Sequence, residues 1–406
     1  MTRRELPDLL LLAALCALPP LSIDMGLPSL PAAAAALHVG ASRAASTITV
    51  FMAGFALSPI AYGALSDAWG RRPLLLAGLT LFAGGGIACL FAPTLGWLLL
   101  ARLVQGAGAG CGPTLAFAAT RDRLTGRPLG ARIALLTTLL NTAPVVAPSL
   151  GAACLMLGGW RGVYAVLAVC GVLLLLAASG GFKETRAPSA AGDPPVLARL
   201  PCDVAALSRR PDVVFPGLVY ALSAGSMFAY VSTSPLLLMQ RLGASPAFYA
   251  GLFAVTGTGI VLGALLSGRL LHRAVPLTLA GAGLALTVAG PIGAAWLLHA
   301  GIGTAAPIVT CMAVATFGYG LVAPAAAHAT LDPVPEMAGT ASALMNSVQM
   351  ASMAFASFCA ARLFDALGGF APSVAMLGFA LASAGCLYGW WRGAGAARLP
   401  NRSPAA

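Results

Sequence analysis

Apolar residues in this chain run in blocks of about twenty, separated by short clusters of Arg, Asp, Pro and Gly. A helix rises 1.5 Å per residue, so ~20 mostly apolar residues cross the ~30 Å hydrocarbon core of a bilayer. On that basis spanning helices are predicted near 9–30, 43–65, 74–92, 95–119, 130–157 and 161–181. After a polar break, six more are predicted near 213–239, 246–270, 276–298, 303–327, 338–361 and 370–391. Spans three and four are parted only by Ala92-Pro93-Thr94. The long polar break carries Lys183, Glu184, Arg186, Pro188, Asp193, Pro194 and Pro195. It divides the chain into an N-terminal half (1–181), a linker (182–212) and a C-terminal half (213–406). Arg3 and Arg4 before a Leu/Ala run look like the start of a signal peptide. No small-residue cleavage site precedes the next motif, and a retained first helix is expected.

Composition agrees with a lipid solvent. The chain is 59% apolar and 9% charged, against roughly 25% charged residues in soluble domains, so a soluble enzyme is excluded. The net charge of +11 does not point to nucleic acid, because the basic residues sit in short loops rather than on one aromatic-studded face. They set orientation instead. With the N-terminus inside, the inner segments hold 18 Lys/Arg and the outer loops 4 (Arg43, Arg161, Arg241, Arg362), with Arg102 left inside a span. The positive-inside rule then puts both termini in the cytoplasm.

Cysteine and histidine add little. The nine cysteines form no CxxC pair and the four histidines no HExxH, so neither a disulfide framework nor a metal centre is expected. No cofactor is implied.

A weak internal echo supports duplication: Gly63-Ala64-Leu65 recurs as Gly263-Ala264-Leu265, each followed by a basic turn. The strongest local signal is Gly63-Ala64-Leu65-Ser66-Asp67-Ala68-Trp69-Gly70-Arg71-Arg72, between spans two and three. A positive-inside turn accounts for the arginines but not for glycines flanking an acid. Gly63 is expected to let helices approach closely, and Asp67 to pair with a basic residue or a helix N-terminus. This segment resembles the loop between helices two and three of the major facilitator superfamily. Arg102-Leu103-Val104-Gln105-Gly106 resembles the R-x-x-Q-G motif of its proton-coupled members. Asn141 to Gly151, with Pro144 and Pro148, resembles the antiporter motif of helix five, with Ala at 147 and 152 in place of Gly. Leu21-Ser22-Ile23-Asp24-Met25-Gly26-Leu27-Pro28-Ser29-Leu30-Pro31 is similar to the helix-one signature of the Bcr/CflA drug-resistance subfamily, with Gly26 where Tyr is usual. The resemblance implies an all-α membrane protein of twelve transmembrane helices in two six-helix bundles, in a bacterial inner membrane. It implies export of bicyclomycin- or chloramphenicol-like antibiotics in exchange for protons.

The residues can be weighed without the resemblance. Of twelve acidic residues, Asp24 alone lies well within a span, and Arg102 is its only basic counterpart. A charge at membrane depth costs roughly 2.5–3.5 kcal/mol on insertion scales and usually marks an ion or substrate path. Counting 1.5 Å per residue places Asp24 ~22 Å above the start of span one and Arg102 ~10 Å below the outer boundary. Both fall in the outer half and could share a cavity. A fixed ion pair clamping two helices is the plainer account. The functional account makes Asp24 a proton carrier, with hydrocarbon opposing its ionisation and a nearby cation favouring it. Pro19, Pro20 and Pro28 predict a distorted helix around Ile23-Asp24-Met25.

A pocket for bulky apolar drugs should be aromatic with few polar groups. Asp24, Asn141, Tyr220, Phe228, Tyr230, Asn346 and Gln349 are the candidates, although ordinary packing is expected to claim more than half of them. Gly106-Ala107-Gly108-Ala109-Gly110 reads as close helix packing. It lacks the Lys-Ser/Thr of a P-loop, so ATP-driven transport is not expected.

The expected partners are a small drug-like substrate, protons and lipid, with no nucleic acid, on a monomer. A carrier of the same fold moving a peptide, amino acid or sugar would use Asp24 and Arg102 equally well. A membrane enzyme or sensor fits poorly, for want of a metal cluster, a G-x-S-x-G elbow or a sizeable soluble domain.

Overall fold

A computed structural model describes residues 5–185 and 196–396, and within them it is helical throughout, with no strand. Nine of its segments are long and apolar enough to cross a membrane. Two of these are double length, and one predicted span is split in two, so helices stand at all twelve predicted places. In chain order they are α1 (Glu5–Asp24), α2 (Leu30–Ala36), α3 (Ala41–Trp69), α4 (Arg71–Leu90), α5 (Leu95–Ala109), α6 (Cys111–Arg123) and α7 (Gly126–Gly181). Then come α8 (Val196–Ser208), α9 (Pro211–Pro235), α10 (Pro246–Leu270), α11 (Pro276–His299), α12 (Ala305–Leu331), α13 (Ala338–Leu367) and α14 (Ala371–Ala396).

The departures from the predicted spans have local causes. Span one breaks after Asp24: Met25 and Gly26 form a turn, Leu27–Ser29 tighten into a 3-10 turn, and α2 completes the crossing. Pro28 has no N–H to continue the α-helical ladder, and the Ser29 amide bonds the Gly26 carbonyl instead, at 3.1 Å. Span four is interrupted at Gly110, which presses against Ser58 of α3. In α7 the two predicted spans run together through Gly158 and Gly159. The second has φ 64°, ψ −166°, a conformation only glycine adopts readily. Thr94 caps α5 by accepting from the Trp97 amide at 3.3 Å, so the Ala92-Pro93-Thr94 break is a true helix boundary.

Between 182 and 212 the expected polar linker contains a helix, α8. It packs on α3, α9 and α13, and Leu207 is buried with Val213, Val334 and Ala341. Residues 186–195 of that linker lie outside the described residues, as do the terminal arginines 3, 4, 398 and 402.

Helices α1 to α7 pack mostly on one another, and so do α9 to α14. The two sets meet along α3 with α13 and along α7 with α10. Thr49 donates to Ser357 at 2.9 Å across the first of these seams. The closest approaches within each set need glycine. A methyl at Gly54 in α3 would collide with the α5 backbone at Leu103, and one at Gly263 in α10 with the Phe317 carbonyl of α12. Gly63 has no such role, since a methyl there would meet Thr114 at an ordinary 4.0 Å. The Gly-Ala-Leu echo therefore joins two positions whose packing differs.

Candidate functional site

Asp24 closes α1 and is 5% exposed. Its neighbours Ile23 and Leu27 belong to the buried cluster that also holds Tyr230 of α9 and Tyr249 and Phe253 of α10. The 3-10 turn at Leu27–Ser29 touches both α9 and α10. The carboxyl therefore sits where one set of helices faces the other. Tyr249 is within electrostatic range of it, fully buried, and shares a 2.9 Å hydrogen bond with the Ser234 hydroxyl. Gly151 of α7 supports the turn from behind, because a methyl there would collide with the Met25 carbonyl.

Arg102 is 2% exposed and spends its donors elsewhere. Nη1 donates to Gln105 Oε1 at 2.8 Å, Nη2 to the Ser22 carbonyl at 3.1 Å, and Nε to the Thr47 carbonyl at 3.4 Å. Its guanidinium lies 4.2 Å from the Phe51 ring centre and 5.7 Å from that of Tyr164, where ring quadrupoles favour a cation. No ion pair or hydrogen bond joins Arg102 to Asp24. The two are linked only through the α1 backbone, two residues apart at Ser22. Gly106 permits this, since a methyl would collide with the Phe51 carbonyl and push α5 away from α3. Gln105 uses its oxygen on Arg102, and its buried Nε2 has no partner of good geometry.

Of the drug-contact candidates, Tyr220 and Gln349 come together. Gln349 Nε2 donates to Tyr319 Oη at 3.2 Å, and the Tyr220 hydroxyl stands beside the same amide. Tyr319, on α12, escaped the sequence reading because nothing in the local pattern distinguishes it from a packing tyrosine. Phe228 and Tyr230 are buried in α9 among the seam residues, and the Tyr230 hydroxyl has no well-aligned partner. Asn346 is half-buried one helical turn before Gln349. The Asn141 side chain lies outside the described residues. Pro144 and Pro148 lie within α7, whose Val145 packs on Gly257 of α10.

The turn between α3 and α4 builds a charge cluster. Gly70, at φ 95°, ends one helix and starts the next. Arg71 is buried and reaches Asp67 at 2.8 Å, Asp122 at 3.1 Å and the Ser66 hydroxyl. The Glu184 carboxylate accepts from the amides of Arg71 and Arg72 at 2.9 and 3.0 Å, an acid at a helix N-terminus. Arg72 donates to the Ser179 carbonyl. Asp122 and Glu184 were missed, because each sits in a polar loop far along the chain from residue 71. No group of three or more His, Cys, Asp or Glu among the described residues is placed to hold a metal ion.

Residues 12–357 match the sequence description of the Major Facilitator Superfamily. An uncharacterized MFS-type transporter, YdgK, of Bacillus subtilis is 36% identical over 270 residues, 64% of this chain and 65% of that protein. The multidrug resistance protein MdtL of Escherichia coli is 33% identical over 245 residues, 60% of this chain and 61% of that protein. The matched region thus spans under two thirds of either relative. Among solved structures, a bacterial homolog of the human lysosomal transporter Spinster, inward-facing and occupied, superposes with a TM-score of 0.76 at 17% identity over 100% of both chains. A POT family transporter in complex with 5-aminolevulinic acid gives 0.74 at 12% identity over 94% of each. At such identities these two likenesses speak for the fold alone.

Proposed function

The chain belongs to the major facilitator superfamily, a multi-pass membrane transporter rather than an enzyme, and we propose that it is a proton-coupled multidrug exporter. In this reading it sits in a bacterial inner membrane with both termini cytoplasmic, as a monomer. The halves 1–181 and 213–406 rock about the site, and small antibiotics of the chloramphenicol and bicyclomycin kind leave in exchange for protons. The partial match to MdtL, named for multidrug resistance, and the Bcr/CflA-like signature around Asp24 support the drug class.

One observation carries the proton role. Asp24 is buried at the junction of the two helix sets, and the nearby guanidinium is committed to Ser22, Thr47 and Gln105 rather than to it. A carboxyl held in a fixed ion pair would keep its charge at any physiological pH. One without a dedicated counter-ion can take up and release a proton as its surroundings alternate. Arg102 then acts as the strut that holds α1, α3 and α5 in register behind the carboxyl. Tyr220, Gln349 and Asn346 on one side, with Phe228 and Tyr230 on the other, supply aromatic walls and a few polar groups for a drug.

The test is resistance of an efflux-deficient bacterium expressing the chain, with and without Asp24→Asn. Raised resistance to chloramphenicol or bicyclomycin that disappears with Asp24→Asn is the expected result. Vesicles from these cells should still exchange drug in the variant but no longer concentrate it against a gradient. Uphill export by Asp24→Asn equal to the parent's sinks the proton role. Absence of any resistance, with substrate-induced pH changes for a peptide, amino acid or sugar, favours the metabolite carrier.

A further inference from the structure

We propose that Tyr249 is a positioning residue through which the C-terminal half senses whether Asp24 carries a proton. The inference rests on the proton role assigned to Asp24 and extends it to a residue on the opposite side of the seam.

The groups around the carboxyl are few. From α10 comes Tyr249, from α9 come Ser234 and Tyr230, and from α5 the Arg102 guanidinium, turned away onto the Ser22 carbonyl. Tyr249 lies in the first turn of α10, and its ring packs on Phe253 with centres 5.9 Å apart, which fixes its direction. No hydrogen bond joins Asp24 and Tyr249 in this state, so theirs is a contact that can close and open rather than a permanent clamp.

The hydroxyl pair behind it is suited to either state of the acid. Ser234 Oγ lies 2.8 Å from the Val231 carbonyl and 2.9 Å from Tyr249 Oη. Each hydroxyl has one proton. In one arrangement Ser234 donates to Val231 and Tyr249 donates to Ser234, so the Tyr249 oxygen offers lone pairs to a protonated carboxyl. In the other, Ser234 donates to Tyr249, and the Tyr249 proton is free for an ionised carboxylate. Two hydroxyl rotations interconvert them, and no proton leaves the pair. A neutral acid and a carboxylate thus make different contacts with α10, and differential contact is what moves a two-state equilibrium.

The two hydroxyls have opposite effects when removed. Tyr249→Phe keeps the ring but deletes the donor to the carboxylate, a charge-assisted bond stronger than the neutral one lost by the acid. Ser234→Ala leaves the Tyr249 proton without an acceptor whenever the acid is neutral, and a buried orphan donor is the costlier defect.

Hydrogen exchange of the full-length protein in lipid nanodiscs, followed from pH 5 to 9 and corrected for intrinsic exchange, reads this without any drug. The probes are the loops 37–40 and 242–245, at the end of the molecule opposite the termini. In the parent their protection should change with pH about one midpoint. Tyr249→Phe should move it about one unit higher, a tenfold change in proton affinity. Ser234→Ala should move it lower, and Asp24→Asn should abolish the transition. A Tyr249→Phe midpoint equal to the parent's, shifts of the same sign in both variants, or a transition that survives Asp24→Asn would each overturn the proposal. So would a parent whose loops ignore pH. If Tyr249→Phe does not fold, the Ser234→Ala shift decides alone. Drug resistance in cells is read separately, so this inference can fail while the exporter reading stands.

Discussion

Arg102 donates to the carbonyl of Ser22, two residues before Asp24, and not to Asp24 itself. The same guanidinium holds Gln105 and Thr47 and lies over Phe51. It therefore ties three helices together through neutral oxygens and a ring, and leaves the only deep carboxyl of the chain facing the opposite half. Structural work and protonation are thus divided between two residues that the sequence suggests are a pair.

That division sets different outcomes for the two substitutions. Arg102→Met should strip donors from Ser22 and Gln105, at about 1–3 kcal/mol for each buried acceptor left unpaired. Asp24→Asn breaks no ion pair and should change stability by less than about 1 kcal/mol. Thermal unfolding followed with a thiol-reactive dye suits this chain, because Cys16, Cys89 and Cys111 are free and buried. Equal destabilisation by both variants would argue for a hidden Asp24–Arg102 pair.

Gly106→Ala and Gly151→Ala both force a methyl into neighbouring backbone, at Phe51 and Met25 respectively. Overpacking of this kind costs about 1–3 kcal/mol, so each should lower the unfolding temperature. Gly63→Ala, where the methyl finds 4.0 Å of room, should not. The same dye assay on the three variants checks the order.

Glu184→Gln should weaken the cap on α4, since a neutral amide accepts less strongly from the Arg71 and Arg72 amides than a carboxylate does. The expected loss is about 0.5–2 kcal/mol, smaller than that of Arg71→Ala, which also abandons Asp67, Asp122 and Ser66. If this turn is a hinge, as its place between helices suggests, Arg71→Ala should reduce drug export more than tenfold at matched expression. Export equal to the parent's would leave the cluster a purely structural one.

Gln349→Ala should lower resistance at least fourfold for a subset of drugs, through loss of the bonded group beside Tyr319 and Tyr220. Tyr388→Ala, with its ring 55% exposed on the outer surface of α14, should leave the whole profile alone. A uniform fall across all drugs for Gln349→Ala would point to packing rather than selection.

Much was legible along the chain because the bilayer imposes one requirement that acts locally. Every span must be apolar for about twenty residues and satisfy its own backbone, so span positions, the break after Asp24 and the isolation of that acid and Arg102 could be read from residue order. What residue order could not supply was direction. Asp24 and Arg102 sit at compatible depths, yet which way each side chain turns depends on the contact between α3 and α5 at Gly106 and on the turn that Pro28 forces. Tyr249, Tyr319, Asp122 and Glu184 enter only once distant helices are packed, for a tyrosine or a loop acid gains its role from a partner a hundred or more residues away.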